Sequence, residues 1–123
     1  MLVVNKLPRS ISAESYRSIR TSIQYSSIDK KIKTIVVTSS MAGEGKSTVS
    51  GNLAYVLSEN KNKVLLIDCD LRLGRTHKIF GLSNEKGLSN LLVSKDFDCK
   101  GYFQKTEISN LYVLSRGALV PNP

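Results

Sequence analysis

A chain of 123 residues with 41% hydrophobic content is one domain or part of one, and it buries its core with little margin. Its +8 formal charge favours phosphates and acidic surfaces in general, but the basic residues are scattered, without a run of five or six or an aromatic-interleaved stripe, so no nucleic-acid partner is expected. No apolar run reaches the roughly 18 residues of a membrane span, no signal-peptide pattern opens the chain, and two cysteines make neither a metal quartet nor a disulfide framework, which leaves the cytoplasm as the expected setting.

Residues 1–10, with Pro8, read as an extended arm. From Ser12, a candidate N-cap, "SAESYRSIRTSIQYSS" has the pattern of a helix within 11–28. It places Tyr16, Ile19 and Ile23 on one face and Glu14, Arg17 and Arg20 along a different side. Residues 32–38, "IKTIVVT", read as a buried strand. A helix is expected from about Lys46 to Glu59, with Val49, Leu53, Val56 and Leu57 inward, followed by a second strand, "KVLLIDCD", that includes Cys69. Both strands are continuous apolar runs, as in a parallel sheet covered on both faces, and with the helix between them they form one right-handed βαβ unit. Short helices are expected in "RTHKIFG", closed by Gly81, and in residues 87–94, and a third strand in 111–115.

The chemistry concentrates in "VTSSMAGEGKSTVS" at 37–50. The phosphate-loop pattern G-x-x-x-x-G-K-[ST] is met at Gly45, Lys46 and Ser47, with Ser40 in place of its first glycine. Gly43 and Gly45 let successive N–H groups turn inward, and the following helix adds its dipole toward phosphate charge. Lys46 suits the β- and γ-phosphates, and the Ser47 hydroxyl suits Mg²⁺. In "VLLIDCDLR", Asp68 and Asp70 fall on one side of the strand, at the sheet edge where ligands bind, with Arg72 two residues on. Two carboxylates there suggest one for the metal and one to accept a proton. The bland readings are a glycine-bearing turn, a turn-capping acid pair and a surface arginine.

Together "ESYRSIR", "TSSMAGEGKST" and "VLLIDCDLR" resemble the bacterial tyrosine kinases of capsular and extracellular polysaccharide synthesis. "HKIFGLSNEKGLSNLL" and "NLYVLSRG…PNP" match that family's connecting regions in order, so the resemblance covers nearly the whole chain. It implies an α/β fold of the P-loop NTPase type, a parallel sheet flanked by helices, with residues 32–123 the first part of the kinase domain. It also implies ATP- and Mg²⁺-dependent transfer of phosphate to protein tyrosine, including autophosphorylation. By motif position Gly43, Glu44, Gly45, Lys46, Ser47 and Thr48 form the Walker A nucleotide loop. Lys46, Asp68, Asp70 and Arg72 carry catalysis, and Ser47, Asp68 and Asp70 the metal. Asp68 is assigned to the magnesium shell and Asp70 to activation of the tyrosine hydroxyl, roles that could be exchanged or shared. The family's E-x-x-R-x-x-R helix falls on Glu14, Arg17 and Arg20, where it implies ring-type homo-oligomerisation; the bland alternative is a solvated helix with one ion pair. The resemblance is to the separate kinases, peripheral to the inner membrane face, that are activated by the tail of a membrane-embedded partner and opposed by a phosphotyrosine phosphatase.

Ala42 stands where the family commonly has proline. The family's Walker B strand and tyrosine-rich tail would lie beyond Pro123, so the domain looks truncated and impaired activity is expected of these residues. His77 is given no catalytic role. Two rivals remain. A partitioning or cell-division ATPase switch would carry a signature lysine where Met41 stands, and a non-catalytic assembly fragment would bind nucleotide without transferring phosphate.

Overall fold

The computed structural model describes all residues except Met1, Ser27, Ile28, Met41, Ala42, Glu44, 95–97, Val120, Asn122 and Pro123. The arm is not extended. Val3–Lys6 form one helical turn, α1, because Leu2 and Val4 are drawn into the core. Helix α2, Ile11–Tyr25, starts two residues earlier than the sequence suggests, since the side chain of Ser10, not Ser12, accepts a hydrogen bond from Ala13 N–H at 3.1 Å. Helix α3 spans Lys46–Ser58.

Val4, Ala13, Leu53 and Val56 are the buried cluster where α1, α2 and α3 meet, with Tyr16 and Ile23 packed against it. Ile19 is exposed: the inward side of α2 runs through Ala13, Tyr16 and Ile23, and Ile19 lies to one flank. On α3 the expected face holds at Leu53 and Val56, but Val49 is exposed.

Strand β1, Val64–Ile67, pairs in parallel with β3, Leu111–Leu114, in the register Val64 to Leu111 through Ile67 to Leu114. A two-residue strand, β2 at Gln104–Lys105, joins the other edge of β3 antiparallel, so the sheet is mixed, in the order β1-β3-β2. β2 and the 3₁₀ turn at Cys99–Tyr102 were not anticipated. Short helices α4, Thr76–Ile79, and α5, Leu88–Val93, stand where the sequence places them, and Gly81 closes the first at φ +64°.

The expected strand at 32–38 is corrected. The segment is not part of a strand ladder, and the central strand of the sheet is β3, which follows β1 by more than forty residues. Val37 packs against the helical core, but Val36 is 83% exposed. Between this segment and β1 lies a cleft of about 700 Å³, floored by Leu53, Ala54 and Leu57 of α3. The segment and β1 line the cleft without pairing, so the βαβ unit is present in connectivity and absent in pairing. β1 correspondingly has one solvated side, where Leu65 and Ile67 are exposed, rather than two covered faces. Among the described residues no helix is long and apolar enough to cross a membrane.

Candidate nucleotide-binding site

Gly43 and Gly45 adopt φ of +80° and +81°, where a side chain is strained, and a Cβ built on either would meet nothing within 4 Å. The requirement for glycine is therefore conformational, and the space beside the turn is open. Gly45 is the N-cap of α3, which has no side-chain cap and no acidic residue in its first turn. The leading N–H groups and the positive end of the helix dipole are left for a ligand. Lys46 and Ser47 are half-buried, Thr48 is exposed, and Glu44 lies outside the described residues. The first turn is tightened by Ser50, whose Oγ donates to the Lys46 carbonyl at 2.7 Å and to that of Ser47 at 3.2 Å.

The helix itself is pinned. Asn52 is fully buried; its Oδ1 accepts from Val4 N–H at 3.1 Å and its Nδ2 donates to the Thr48 carbonyl at 2.8 Å. Residues 59–63 then turn the chain back, so that the C-terminal end of β1 returns to the end of α3 that bears the glycine loop.

β1 ends at Ile67, so Asp68, Cys69 and Asp70 open a loop rather than complete the strand, and Cys69 is exposed. Asp68 is buried and spans the loop: Oδ1 accepts from Asp70 N–H and Oδ2 from Thr76 N–H, both at 3.1 Å. Gly74 leans on this carboxylate so closely that a Cβ there would fall 2.4 to 2.6 Å from its atoms. Asp70 is half-buried, and its Oδ1 accepts from Leu73 N–H at 3.0 Å. Arg72 is exposed and forms no hydrogen bond or ion pair among the described residues.

The two acids are thus brought together. Among the described residues no hydrogen bond joins either acid to Ser47, and no cluster of three or more His, Cys, Asp or Glu side chains could hold a metal. Two carboxylates and a hydroxyl are nevertheless an all-oxygen set, and each carboxylate oxygen retains a lone pair. Such a set fits Mg²⁺, which takes one or two carboxylates and completes its octahedron with phosphate and water. Beside the acids, buried His77 is held below its ordinary pKa of 6.5, first by burial and then by the charges of Arg116 and Lys78, against the opposing pull of Asp68.

Glu14, Arg17 and Arg20 also converge, but on the chain itself. Arg17 meets both carboxylate oxygens of Glu59 at 3.2 and 3.3 Å and bonds Glu14 at 3.0 Å. Arg20 donates to the Val56 carbonyl at 2.7 Å and to Glu59 at 3.2 Å. The last turn of α3 has no basic residue of its own, so these two cations complement its dipole from α2. The Glu59 hydrogen bonds raise the Arg17 pKa above its ordinary value. Glu14, 65% exposed, is the outward member of the triplet.

A family model described as "AAA domain" matches residues 32–120. The chain belongs to the AAA-domain family. Tyrosine-protein kinase YwqD of Bacillus subtilis is 42% identical over 94% of this chain and 48% of its own length. The kinase domain of the Escherichia coli tyrosine kinase ETK superposes with a TM-score of 0.90 at 34% identity, over 98% of this chain and 47% of that one. The septum site-determining protein MinD of Pyrococcus horikoshii, complexed with Mg-ADP, gives a TM-score of 0.60 at 30% identity, over 68% of this chain and 34% of its own. The resemblance to bacterial tyrosine kinases therefore holds over nearly the whole AAA-domain chain, and the P-loop NTPase fold class with it. The chain spans about half the length of the curated relatives it matches.

Four residues that position this site lie outside the glycine-loop and acid motifs: Asn52, Glu59, Gly74 and Arg116, the last within a connecting segment that assigns it no role. Gly74 lies in the acid loop two residues after Arg72. The others act through partners 39 to 48 positions away in sequence.

Proposed function

We propose that this chain is the nucleotide-binding part of an ATP-dependent protein-tyrosine kinase that autophosphorylates and serves capsular or extracellular polysaccharide synthesis. The observation that carries this is the left-handed pair Gly43 and Gly45 opening α3 beside the acid loop. Resemblance to named tyrosine kinases supports phosphotransfer over a switch ATPase: the ETK kinase domain matches over nearly all of the chain, and MinD over two thirds of it at a lower TM-score. Residues 43–48, Glu44 included, hold the nucleotide, with Lys46 on the phosphates. Ser47, Asp68 and Asp70 hold Mg²⁺, which when bound neutralises charge on the phosphates. Asp68 is fixed by two backbone donors and suits a stationary ligand. Asp70 has an oxygen without a partner among the described residues and suits the acceptor of the tyrosine proton. Arg72, exposed beside them, meets phosphate charge.

In the same reading Glu14, Arg17 and Arg20 belong to a contact between copies in a ring, within a cytoplasmic kinase peripheral to the membrane. A membrane-embedded activator tail and a phosphotyrosine phosphatase are its partners. A second reading, a nucleotide cradle without phosphotransfer, is favoured by the open cleft between residues 31–37 and β1, which leaves the sheet unsupported next to the glycine loop. Intact mass after incubation with Mg-ATP separates the two. Added phosphate on tyrosine, absent in Lys46→Met, supports the kinase; an unchanged mass with retained nucleotide binding supports the cradle.

A further inference from the structure

Arg116 stands just past β3, one strand over from the acids, in the connecting segment "NLYVLSRG" and outside the glycine-loop and acid motifs. Its Nε donates to the Gly74 carbonyl at 3.0 Å and its Nη1 to the Gly117 carbonyl at 2.9 Å. The second anchor is itself fixed. Gly117 has φ +88°, its N–H donates to Asn84 Oδ1 at 2.8 Å, and its carbonyl also accepts from Asn84 Nδ2 at 2.9 Å. The guanidinium thus bolts the middle of the acid loop to the exit of the neighbouring strand.

Gly74 is held from its other side as well. Its N–H donates to the Asp70 carbonyl at 2.9 Å, and its Cα lies against the Asp68 carboxylate with no room for a Cβ. Asp68 ties the loop from within, through Asp70 N–H and Thr76 N–H, and Arg116 ties it from without. The loop between those ties carries Asp70 and Arg72. A short loop on the surface would ordinarily open easily; tethers at Asp70, Gly74 and Thr76 remove that freedom. The rigid planar fork, with donors at a fixed separation, is what lets one side chain reach two carbonyls on different segments, whereas a lysine ammonium is a point donor on a flexible stem.

We infer that Arg116 is a positioning residue of the acid loop, holding Asp70 at the distance from the glycine loop that a magnesium-bound nucleotide requires. The inference rests on the nucleotide site proposed above. Its test compares Arg116→Gln and Arg116→Lys with the wild-type chain, by amide hydrogen exchange without nucleotide and by ADP titration with and without Mg²⁺. Losing these hydrogen bonds is expected to speed exchange at Leu73, Gly74 and Thr76 by about tenfold and to weaken the Mg²⁺-dependent part of ADP affinity by a similar factor. The amides of β1 and β3 and the affinity without Mg²⁺ are expected to stay as they are, and Arg116→Lys to fall between. Unchanged loop amides, or acceleration spread equally over the sheet, overturns the inference. So does a loosened loop with undiminished Mg²⁺ dependence. If the wild-type chain binds no nucleotide, the proposed function falls and Asp70 is not being positioned for it, while the exchange pattern still shows whether Arg116 fastens the loop.

Discussion

Residues 32–38 and 64–67 are apolar runs of similar make-up, and they meet different fates. The second lies along β3 with its backbone groups paired; the first is extended, solvated on most of its length and without a ladder. Both are rich in β-branched or branched residues, so intrinsic preference does not separate them. What separates them is an available edge. β3 offers one to β1, and residues 32–37 line a cleft opposite β1 without pairing to it. An apolar run is a strand only in company, and the company here is set by residues far away in sequence.

Buried charge should divide the two regions most sharply. Val113→Asp places a carboxylate in a fully buried strand position without a partner and is expected to unfold the chain or cost more than about 3 kcal/mol. Val36→Asp, at an exposed position of the unpaired run, is expected to change stability by no more than about 0.5 kcal/mol. Thermal melts of both variants check this; equal losses would mean that the run is packed after all.

Glycines give a smaller contrast between the acid loop and the glycine loop that opens α3. Gly74→Ala drives a methyl into the Asp68 carboxylate and is expected to cost about 1–3 kcal/mol and to disturb the Thr76 amide. Gly43→Ala meets open space and is penalised only by its positive φ, about 1–2 kcal/mol, with no signal at Thr76. Amide spectra of the two variants distinguish crowding from strain.

The smallest effect concerns His77. Its folded pKa lies below 6.5, so over the interval beneath that value the unfolded chain takes up a proton that the folded chain refuses. Its contribution is therefore fully present above about pH 6.5 and is lost as pH falls toward the folded pKa. His77→Asn is expected to flatten the stability profile in that window, read from denaturant midpoints between pH 7 and 5. An unaltered slope would place the titration elsewhere.

Much of this was legible in the sequence where the cause is local. Gly43, Gly45 and Lys46-Ser47 announce the turn into α3, Gly81 closes α4, and the apolar spacing marks Leu53 and Val56 as core. Boundaries slipped where two caps competed, as at Ser10 and Ser12. The arm was misread because Val4 gains a buried partner, Asn52, forty-eight positions away. The arginines of α2 were expected to face a second copy, and their acceptor within the chain, Glu59, lies beyond any helical repeat. Spacing puts Asp68 and Asp70 together at the end of β1; that Asp68 also braces its own loop through Thr76, and that Arg116 braces it from beyond β3, requires the tertiary structure.

The most direct test of the central claim, that the glycine turn opening α3 is a phosphate cradle served by the acid loop, is a calorimetric titration of the chain and of Lys46→Met with ADP, in the presence and absence of Mg²⁺. The account predicts saturable one-site binding that strengthens with Mg²⁺ and is lost in Lys46→Met while the variant stays folded. Binding of equal strength in both proteins, or none in the folded wild-type chain, would contradict it.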